Sequence, residues 1–359
     1  MSLSGTIKKN LQDGIAIPAH PLALTAERAF DEAAQRRLTR YYLASGAGGI
    51  AIAVHSTQFE IRDPQINLLE KVLQTAADEI ARSGREDFVK IAGICGPTDQ
   101  AVQEARLAKK YGYHLGLLSM GGLNALTEDE LIERTKAVAA VIPVFGFYLQ
   151  PAVGGRILSF GFWKKFADIP NVHAIKIAAF NRYQTLDAVR AVCHSERMDE
   201  IALYTGNDDN IIADLLTTYR FNINGREVQK DFRGGLLGHW AVWTHQAAAL
   251  LNAIKEYKAG NKGNADAWLS KNISVTDMNA AIFDPAHHFH GCIPGIHEVL
   301  RRQGLLKGTW CLNPGEVLSP GQSDEITRVT QAYPELVDDD FVRTFLQNDQ
   351  RPAHSKESL

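Results

Sequence analysis

The sequence is poor in the features that mark several common classes of protein. It has only four cysteines in 359 residues, and none forms a C-x-x-C pair, which argues against a disulfide framework. It has no excess of positive charge, because 38 lysines and arginines face 41 aspartates and glutamates, for a net charge of −3. A chain without a basic field cannot neutralise a phosphate backbone, so we expect no nucleic-acid partner.

Long apolar runs are also missing. No segment approaches the roughly 20 uninterrupted apolar residues that a membrane helix requires, and the first ten residues have no apolar core of the kind found in a secretory signal. The hydrophobic fraction of 45% and the charged fraction of 22% are ordinary globular values. We therefore expect a protein with no membrane partner and, since its cysteines are unpaired, a cytoplasmic location.

Short apolar runs do occur, and they alternate with longer helical patterns. The runs begin near residues 14, 49, 89, 114, 143, 172, 201 and 234, and a spacing of roughly 30 residues is typical of βαβ units. Runs that are apolar on both faces are typical of buried parallel strands. Helical patterns fill the intervals, such as Thr98–Lys110 and the segment that Thr127 opens with a capping-box Glu130.

Eight strands that each precede a helix predict an α/β fold, a (β/α)8 TIM barrel over residues 14–258. Residues 259–347 lack strand-like runs and are predicted to form a C-terminal helical appendage packed on the barrel. Residues 348–359 are predicted to be a disordered tail. The competing architecture is an open doubly wound sheet, which would favour a G-x-G-x-x-G turn after the first strand, and the sequence has none there.

Barrel enzymes place their reactive side chains at the carboxyl ends of the strands. In the sixth run, alternation puts Lys176 on the inward face among small apolar residues. Burial lowers the pKa of a lysine and makes its neutral amine available as a nucleophile. In the fifth run, alternation predicts an inward Tyr148 above the space left by Gly146, where a phenol would carry protons. The alternatives are a solvated or ion-paired lysine and a tyrosine that only fills the core.

These residues lie in motifs that resemble those of the dihydrodipicolinate synthase and N-acetylneuraminate lyase family of Schiff-base-forming class I aldolases. Tyr148–Pro151 with Gly155 resembles the family's Y-x-x-P…G element, and Pro170–Lys176 resembles its P-N-x-x-x-x-K segment. Gly206–Asp209 is similar to the family's G-D-D turn. The resemblance covers roughly residues 14–345, and it implies a Schiff base on Lys176 that needs neither a cofactor nor a metal.

The family's G-[ST]-T-G-E loop, which follows the second strand, is present in altered form. Ser56 and Thr57 retain the hydroxyl pair that, by resemblance, holds the keto-acid carboxylate and joins the relay from Tyr148. His55 and Gln58 replace two glycines, so the loop is bulkier and more polar. We expect these two side chains to bind substrate hydroxyl groups.

Two other departures argue against a true dihydrodipicolinate synthase. Val153 stands where those synthases carry an arginine, and the end of the fourth strand, Ser119–Gly122, has no match for the tyrosine that they contribute across a dimer interface. Arg156 is a candidate to meet a distal anionic group of the substrate, with a surface arginine as the alternative. Gly206, in the G-D-D-like turn, is a candidate substrate-binding residue.

The expected function is that of a lyase acting on pyruvate or a related 2-keto acid, with catalytic roles for Lys176, Tyr148 and Thr57. The resemblance implies aldol cleavage, condensation or dehydration, and the altered loop favours a hydroxylated, sugar-derived 2-keto acid. Two other functions stay open, a metal-dependent amidohydrolase-type barrel and a catalytically silent barrel that acts as a binding protein. The first strand offers only Ala19–Pro21 in place of the H-x-H that the metal-dependent barrel would require.

Two further features bear on partners and metals. The family resemblance implies a homotetramer built as a dimer of dimers, and apolar residues near strands four and five look exposed enough to form its interface: Met120, Leu123, Phe160, Phe162 and Trp163. His287, His288 and His290 lie close together in the helical region. Histidines so spaced more often make polar contacts than hold a functional metal, and we expect no metal there.

Overall fold

The computed structural model describes residues 3–260 and 263–349, and its strands form a nearly closed barrel. The strands are β1 (Ala16–Pro18), β2 (Gly49–Ile52), β3 (Val89–Ile94), β4 (Leu115–Ser119), β5 (Val144–Leu149), β6 (Val172–Ala178), β7 (Ala202–Thr205), β8 (Thr218–Ile223) and β9 (Arg226–Leu237). Eight of them are parallel neighbours in the order β1-β9-β7-β6-β5-β4-β3-β2. A parallel bridge between Ala19 and Ala51 then brings the ends of β1 and β2 together. The predicted TIM barrel is confirmed.

Helices connect the strands and cover the outside of the barrel. They are α1 (Gly5–Asp13), α2 (Glu32–Ala44), α3 (Leu69–Arg82), α4 (Thr98–Lys110), α5 (Glu128–Ala139), α6 (Phe160–Ala167), α7 (Arg182–Cys193), α8 (Ile211–Leu216), α9 (Thr244–Lys258), α10 (Ala265–Phe283), α11 (Cys292–Arg302), α12 (Gln322–Ala332) and α13 (Asp339–Asp349). The capping box predicted at Thr127 and Glu130 is present at the start of α5. Side-chain caps of this kind satisfy backbone N–H groups that the first helical turn leaves free.

The barrel interior is filled by side chains, and its amino-terminal end is closed by α1. Phe145 of β5 and Tyr204 of β7 meet inside the barrel with ring centroids 5.3 Å apart. The Tyr204 hydroxyl donates to the carbonyl of Leu11 at 3.0 Å, and Ile7 and Leu11 of α1 belong to the same buried cluster. This packing closes the amino-terminal end of the barrel interior.

The eighth barrel strand is longer than predicted and belongs to a hairpin that the apolar runs did not reveal. β8 pairs antiparallel with the first half of β9, from Thr218 opposite Asp231 to Ile223 opposite Arg226. Asn224 and Gly225 form the two-residue turn, both with positive φ, at 52° and 78°. An Asn-Gly pair is favoured at this position because both turn residues take the left-handed conformation.

The chain after α9 folds as helices and loops within the described residues, as predicted. The last helix, α13, continues to Asp349, and Arg40 on α2 forms an ion pair with Asp349 at 2.6 Å. The prediction that the tail begins at residue 348 is therefore wrong by at least two residues, and the rest of the predicted tail lies outside the described residues. The predicted domain boundaries stay a prediction.

The apolar residues that were predicted to form a subunit interface are largely used within the chain. Met120, Leu123, Phe162 and Trp163 are buried, and Phe160 is partly buried against the same core. The aromatic residues on α6 fill the groove between this helix and the sheet, which explains why they look like an exposed patch in sequence alone. Within the described residues, no helix combines the length and the apolar character needed to cross a membrane.

Candidate active site

A cavity of about 50 Å³ lies at the carboxyl ends of the barrel strands. A single buried water needs about 10–15 Å³ on this scale, so the space suits a few small groups. Its walls are mostly apolar, and its polar side chains are few: His55, Ser56, Gln150, Lys176, Asp208 and Cys292. A largely apolar cavity with a few convergent polar groups is the usual form of a ligand site.

Lys176 lies on β6 and points into this cavity, as predicted. Its side chain is buried, and its Nζ lies 4.5 Å from the centre of the Phe147 ring. Within the described residues, this nitrogen makes no hydrogen bond or ion pair. Burial lowers the pKa of Lys176, and the nearby charge of Asp208 opposes that effect. The neutral amine is therefore more populated than in a solvent-exposed lysine.

Gly206, which follows β7, makes room for the lysine side chain. A Cβ atom at this position would lie 2.4 Å from Cε of Lys176 and 2.8 Å from Cβ of Ala178. Its backbone N–H donates to the carbonyl of Ile177 at 2.7 Å, so the chain passes close beside β6. Gly206 lines the inner cavity and leaves space there for the lysine, and its predicted contact with the substrate stays a prediction.

Asp208, two residues further on, brings a carboxyl group to the same cavity. Its Oδ1 accepts a hydrogen bond from the His239 backbone N–H at 2.8 Å. Oδ2 has no hydrogen-bond donor among the described residues. Burial raises the pKa of Asp208, and the Lys176 charge opposes the shift. The cavity thus contains one amine and one carboxyl whose pKa values are shifted toward each other.

The two hydroxyl groups predicted to bind a carboxylate have different surroundings. Ser56 lines the cavity, and its Oγ donates to the carbonyl of Ala19 at 2.9 Å. Thr57 does not line it. Its Oγ1 donates to the carbonyl of His20 at 2.7 Å and accepts from the Val54 backbone N–H at 3.2 Å. Thr57 therefore connects the ends of the first two strands, and its predicted catalytic and substrate-binding roles stay predictions.

The predicted inward orientation of Tyr148 is wrong. On β5 the inward side chains are Phe145, Phe147 and Leu149, and Tyr148 lies outside the barrel with its ring centroid 5.1 Å from that of Trp163 on α6. The Tyr148 hydroxyl accepts from the backbone N–H of Leu158 at 3.4 Å.

The reason for this orientation is the neighbouring glycine. A Cβ atom on Gly146 would lie 2.5 Å from the Phe166 ring of α6. The space that Gly146 leaves is therefore outside the barrel, where Phe166 occupies it. The odd-numbered aromatic residues consequently face inward, and Phe147, rather than the phenol, contacts the lysine.

His55 separates the inner cavity from a second, more polar one of about 300 Å³. Both cavities also share Val153 and Phe289. Burial, with a smaller effect from the Lys176 charge, lowers the pKa of His55 to about 4, so its ring is neutral near pH 7. The second cavity, which we call the outer cavity, is lined by polar side chains: His55, Gln58, Glu60, His288, His290 and Glu316.

Gln58 belongs to the outer cavity and not to the inner one. Its Oε1 accepts from the backbone N–H of Leu312 at 2.6 Å, and its Nε2 has no hydrogen-bond partner among the described residues. Burial, together with the nearby charge of Glu60, raises the pKa of Glu316 on the opposite wall. The outer cavity therefore offers hydrogen-bonding groups without a lysine or arginine in its described lining.

Arg156 lines neither cavity. Its Nη1 donates to the carbonyls of Leu123 and Leu126, both at 2.9 Å, and this holds the loop after β4 in place. The structure does not bring Arg156 to either cavity, and its contact with a distal anion stays a prediction. His287 bonds to Asp284 at 2.6 Å. Within residues 3–260 and 263–349, no group of three or more His, Cys, Asp and Glu side chains is arranged to hold a metal ion.

Sequence reasoning missed several residues of the inner cavity, among them Phe147, Asp208 and Phe289. Asp208 had a usable signal, because it lies in the turn after the seventh strand, where barrel enzymes place reactive groups. Phe289 had none, since it comes from the loop between α10 and α11 and only the tertiary fold brings its ring within 6.0 Å of the Phe180 ring.

Comparison with known proteins is consistent with this geometry. The sequence matches the dihydrodipicolinate synthetase family over residues 16–223. No curated protein gives a significant match to the chain.

Solved structures of similar fold include dihydrodipicolinate synthase from Oceanobacillus iheyensis, with a TM-score of 0.72 and 16% identity over 91% of this chain and 98% of that one. N-acetylneuraminate lyase from Fusobacterium nucleatum, solved with pyruvate, has a TM-score of 0.70 and 16% identity over 91% and 99% of the two chains. Dihydrodipicolinate synthase from Aquifex aeolicus has a TM-score of 0.70 and 18% identity over 90% and 99%. Identities this low show the shared fold alone.

The close approach of Gly206 to the lysine predicts the effect of Gly206→Ala. The added methyl would overlap both Lys176 and Ala178, and only the lysine end can move aside. We expect the free energy of unfolding to fall by about 1–3 kcal/mol, as for other overpacked positions. Urea unfolding measures this free energy. Gly161→Ala is the control, because a Cβ atom at that position has only an ordinary 3.5 Å contact with Ser159. Equal stability of the two variants would contradict the packing argument.

Proposed function

The chain belongs to the dihydrodipicolinate synthetase family, which consists of lyases and aldolases, and we propose that it acts on pyruvate or a related 2-keto acid through a Schiff base on Lys176. The observation that carries this proposal is the buried amine of Lys176 in a cavity at the carboxyl ends of the barrel strands. A neutral amine in an apolar cavity is the nucleophile that attack on a ketone requires.

The surroundings of Lys176 distinguish it from another buried lysine. Burial also lowers the pKa of Lys230, to about 8, but Nζ of Lys230 is bonded to the carbonyl of Met198. Lys230 does not line the inner cavity. A lowered pKa alone therefore gives no reactive site, whereas Lys176 combines it with a free nitrogen and space for a ligand.

The remaining polar groups of the inner cavity are suited to the other end of a 2-keto acid. In our proposal, the Ser56 hydroxyl and nearby backbone N–H groups hold the substrate carboxylate, so that its ketone carbon lies against Lys176. The apolar walls, which include Phe147 and Phe289, exclude water from the iminium that follows. That iminium withdraws electrons from the neighbouring carbon and permits cleavage or formation of a C–C bond, or loss of a hydroxyl group.

The outer cavity supports a hydroxylated tail on the substrate. An inner cavity of about 50 Å³ suits the keto-acid end, and the tail would continue past His55. Neutral His55, Gln58 and the carboxyl groups of Glu60 and Glu316 can exchange hydrogen bonds with hydroxyl groups. Two carboxyl groups, with no lysine or arginine in the described lining, disfavour a phosphate or carboxylate at the end of that tail. We therefore propose a sugar-derived 2-keto acid and not the substrate of a dihydrodipicolinate synthase.

Reduction with borohydride in the presence of pyruvate tests the Schiff base. We expect a stable adduct on Lys176, mapped by mass spectrometry, and none on Lys230, which serves as an internal control. Because the neutral amine reacts and burial lowers its pKa, the rate of adduct formation should rise with pH and level off below the ordinary lysine value of 10.5. Lys176→Ala should abolish the adduct. Failure to label Lys176 with any of several 2-keto acids would overturn the proposal.

A substrate panel tests the tail. We expect a higher kcat/KM for cleavage of a 2-keto-3-deoxy sugar acid with a free terminal hydroxyl than for the same compound with a terminal phosphate. The phosphate would bring negative charge toward Glu60 and Glu316. N-acetylneuraminate belongs in the same panel. Efficient condensation of pyruvate with aspartate semialdehyde would instead indicate a dihydrodipicolinate synthase.

We also propose a homotetramer, on the family resemblance together with apolar side chains that this chain leaves exposed. Leu269 and Ile273, four residues apart on α10, are 56% and 66% exposed, and Tyr183 on α7 is 82% exposed. Exposed apolar side chains of this size are often covered in an assembly. The cytoplasmic location stays a prediction.

Light scattering at micromolar concentration measures the assembly. We expect a mass near four times the 39.6 kDa of the chain. Ile273→Lys on α10 should shift the mass toward smaller species if that face is buried between subunits, whereas Lys109→Glu, on an exposed position of α4, should not. A mass near that of one chain at all concentrations would contradict the tetramer.

A further inference from the structure

We propose that Asp208 moves the protons of the reaction, in the role that the sequence led us to expect of Tyr148. The inference rests on the proposed Schiff base at Lys176 and adds the acid–base group that this chemistry requires. It is carried by two observations: the phenol lies on the outer face of β5, and a buried carboxyl lies in the same cavity as the amine.

The position of Asp208 suits proton transfer. One oxygen is fixed by the His239 backbone N–H at 2.8 Å, so the carboxyl cannot rotate freely, and the other oxygen is free to meet a ligand. Asp208 follows Gly206, the residue beside which the Lys176 side chain lies. A ligand bound covalently to the lysine would therefore be formed next to the free carboxyl oxygen.

The other titratable groups around the inner cavity suit the role less well. Burial raises the pKa of the Cys292 thiol, which makes it a poor proton donor near neutral pH. Burial lowers the pKa of His55 to about 4, so its ring does not carry a proton to donate. Burial instead raises the pKa of Asp208, toward the range in which a carboxyl group both donates and accepts protons at working pH.

The proton balance of adduct formation can be written with Asp208 alone. The Lys176 nitrogen forms a bond to C2, the ketone oxygen takes a proton from the Asp208 carboxyl, and the surplus proton on nitrogen returns to the carboxylate. The new hydroxyl then leaves as water with that proton, while the nitrogen lone pair forms the iminium. Asp208 is now ionised and faces the cationic iminium, which stabilises both charges.

Aldol cleavage uses the same carboxylate. It takes the proton of the C4 hydroxyl, the C3–C4 bond breaks, and the electron pair of that bond moves through C3 and C2 to the nitrogen. An aldehyde leaves, and the enamine takes the proton back at C3. One water molecule was released when the iminium formed, and one water molecule now hydrolyses it and frees Lys176. The cycle therefore needs no other co-reactant.

Asp208→Asn tests this role, because asparagine keeps the shape and the acceptor for the His239 N–H. We expect kcat for cleavage of a 2-keto-4-hydroxy acid to fall by ~10²–10⁴, the usual effect of losing one acid–base group. Asp209→Asn is the matched control, since this neighbouring carboxyl does not line the cavity. Circular dichroism and the unfolding midpoint establish that both variants fold.

Two further measurements separate proton transfer from a structural role. In the parent protein, the pH dependence of kcat should include a titration that is absent from Asp208→Asn. Added formate should restore part of the turnover of Asp208→Ala. The titratable groups that interact with Asp208 are Lys176 from β6, Asp209 in its own turn and Cys292 from α11, and His239 meets it through its backbone N–H. In Asp208→Asn the Lys176 amine still titrates, and its pKa is lower because the Asp208 charge that raised it is absent. Loss of one titration together with this downward shift of the other therefore identifies the carboxyl of the coupled pair.

The outcomes are distinct from failure of the proposed function. If the parent protein forms the pyruvate adduct but Asp208→Asn turns over like the parent, Asp208 carries no proton and this inference is wrong. If turnover falls with an unchanged pH profile and no rescue by formate, Asp208 only supports the turn, which also overturns it. Absence of an adduct in the parent protein would instead reject the Schiff base itself.

Discussion

The interaction on which the site depends is the one between a buried amine and a buried carboxyl in one apolar cavity. Lys176 and Asp208 each lose hydration there, which disfavours the charged form of both groups, and their mutual attraction opposes this. The charged and the neutral forms of the two groups are thereby brought closer in free energy than they would be in water. The two groups make no direct contact, but each charge shifts the titration of the other, so the two titrations are coupled.

Keeping this pair in place is the task of the turn that follows β7. Asp214 accepts hydrogen bonds from Oγ1 of Thr205 at 2.7 Å and from Nδ2 of Asn207 at 2.8 Å. Oδ1 of Asn207 accepts from the backbone N–H of Phe180, just beyond β6, at 2.9 Å. The strand that carries the amine and the turn that carries the carboxyl are thus joined by buried polar contacts. Because an unpaired donor here would be costly, the turn has little freedom to move.

The barrel could be predicted from the sequence because its pattern repeats, whereas the orientation of one strand within it could not. All six residues of β5 are buried, so no alternation of polar and apolar residues reveals which face is inward. The orientation was decided by Gly146, whose missing side chain admits Phe166 from α6. That contact joins two separate elements, and no local pattern encodes it. The hairpin at Asn224 and Gly225 is a different case. Its Asn-Gly turn is a local sequence signal, but it lies outside the apolar runs from which the strands were predicted.

The separation of the two cavities reconciles the apolar inner cavity with the polar substrate that we propose. Phe180 and Phe289 meet edge to face at 6.0 Å over the inner cavity, both with positive φ, at 50° and 65°. Non-glycine residues adopt that conformation at a cost that tertiary contacts must offset, and here the contact is the aromatic cover. It lowers the polarity around the amine and the carboxyl, which strengthens their electrostatic interaction. Beyond His55 the lining contains several hydrogen-bonding side chains, so the proposed tail would be recognised there without hydrating Lys176 and Asp208.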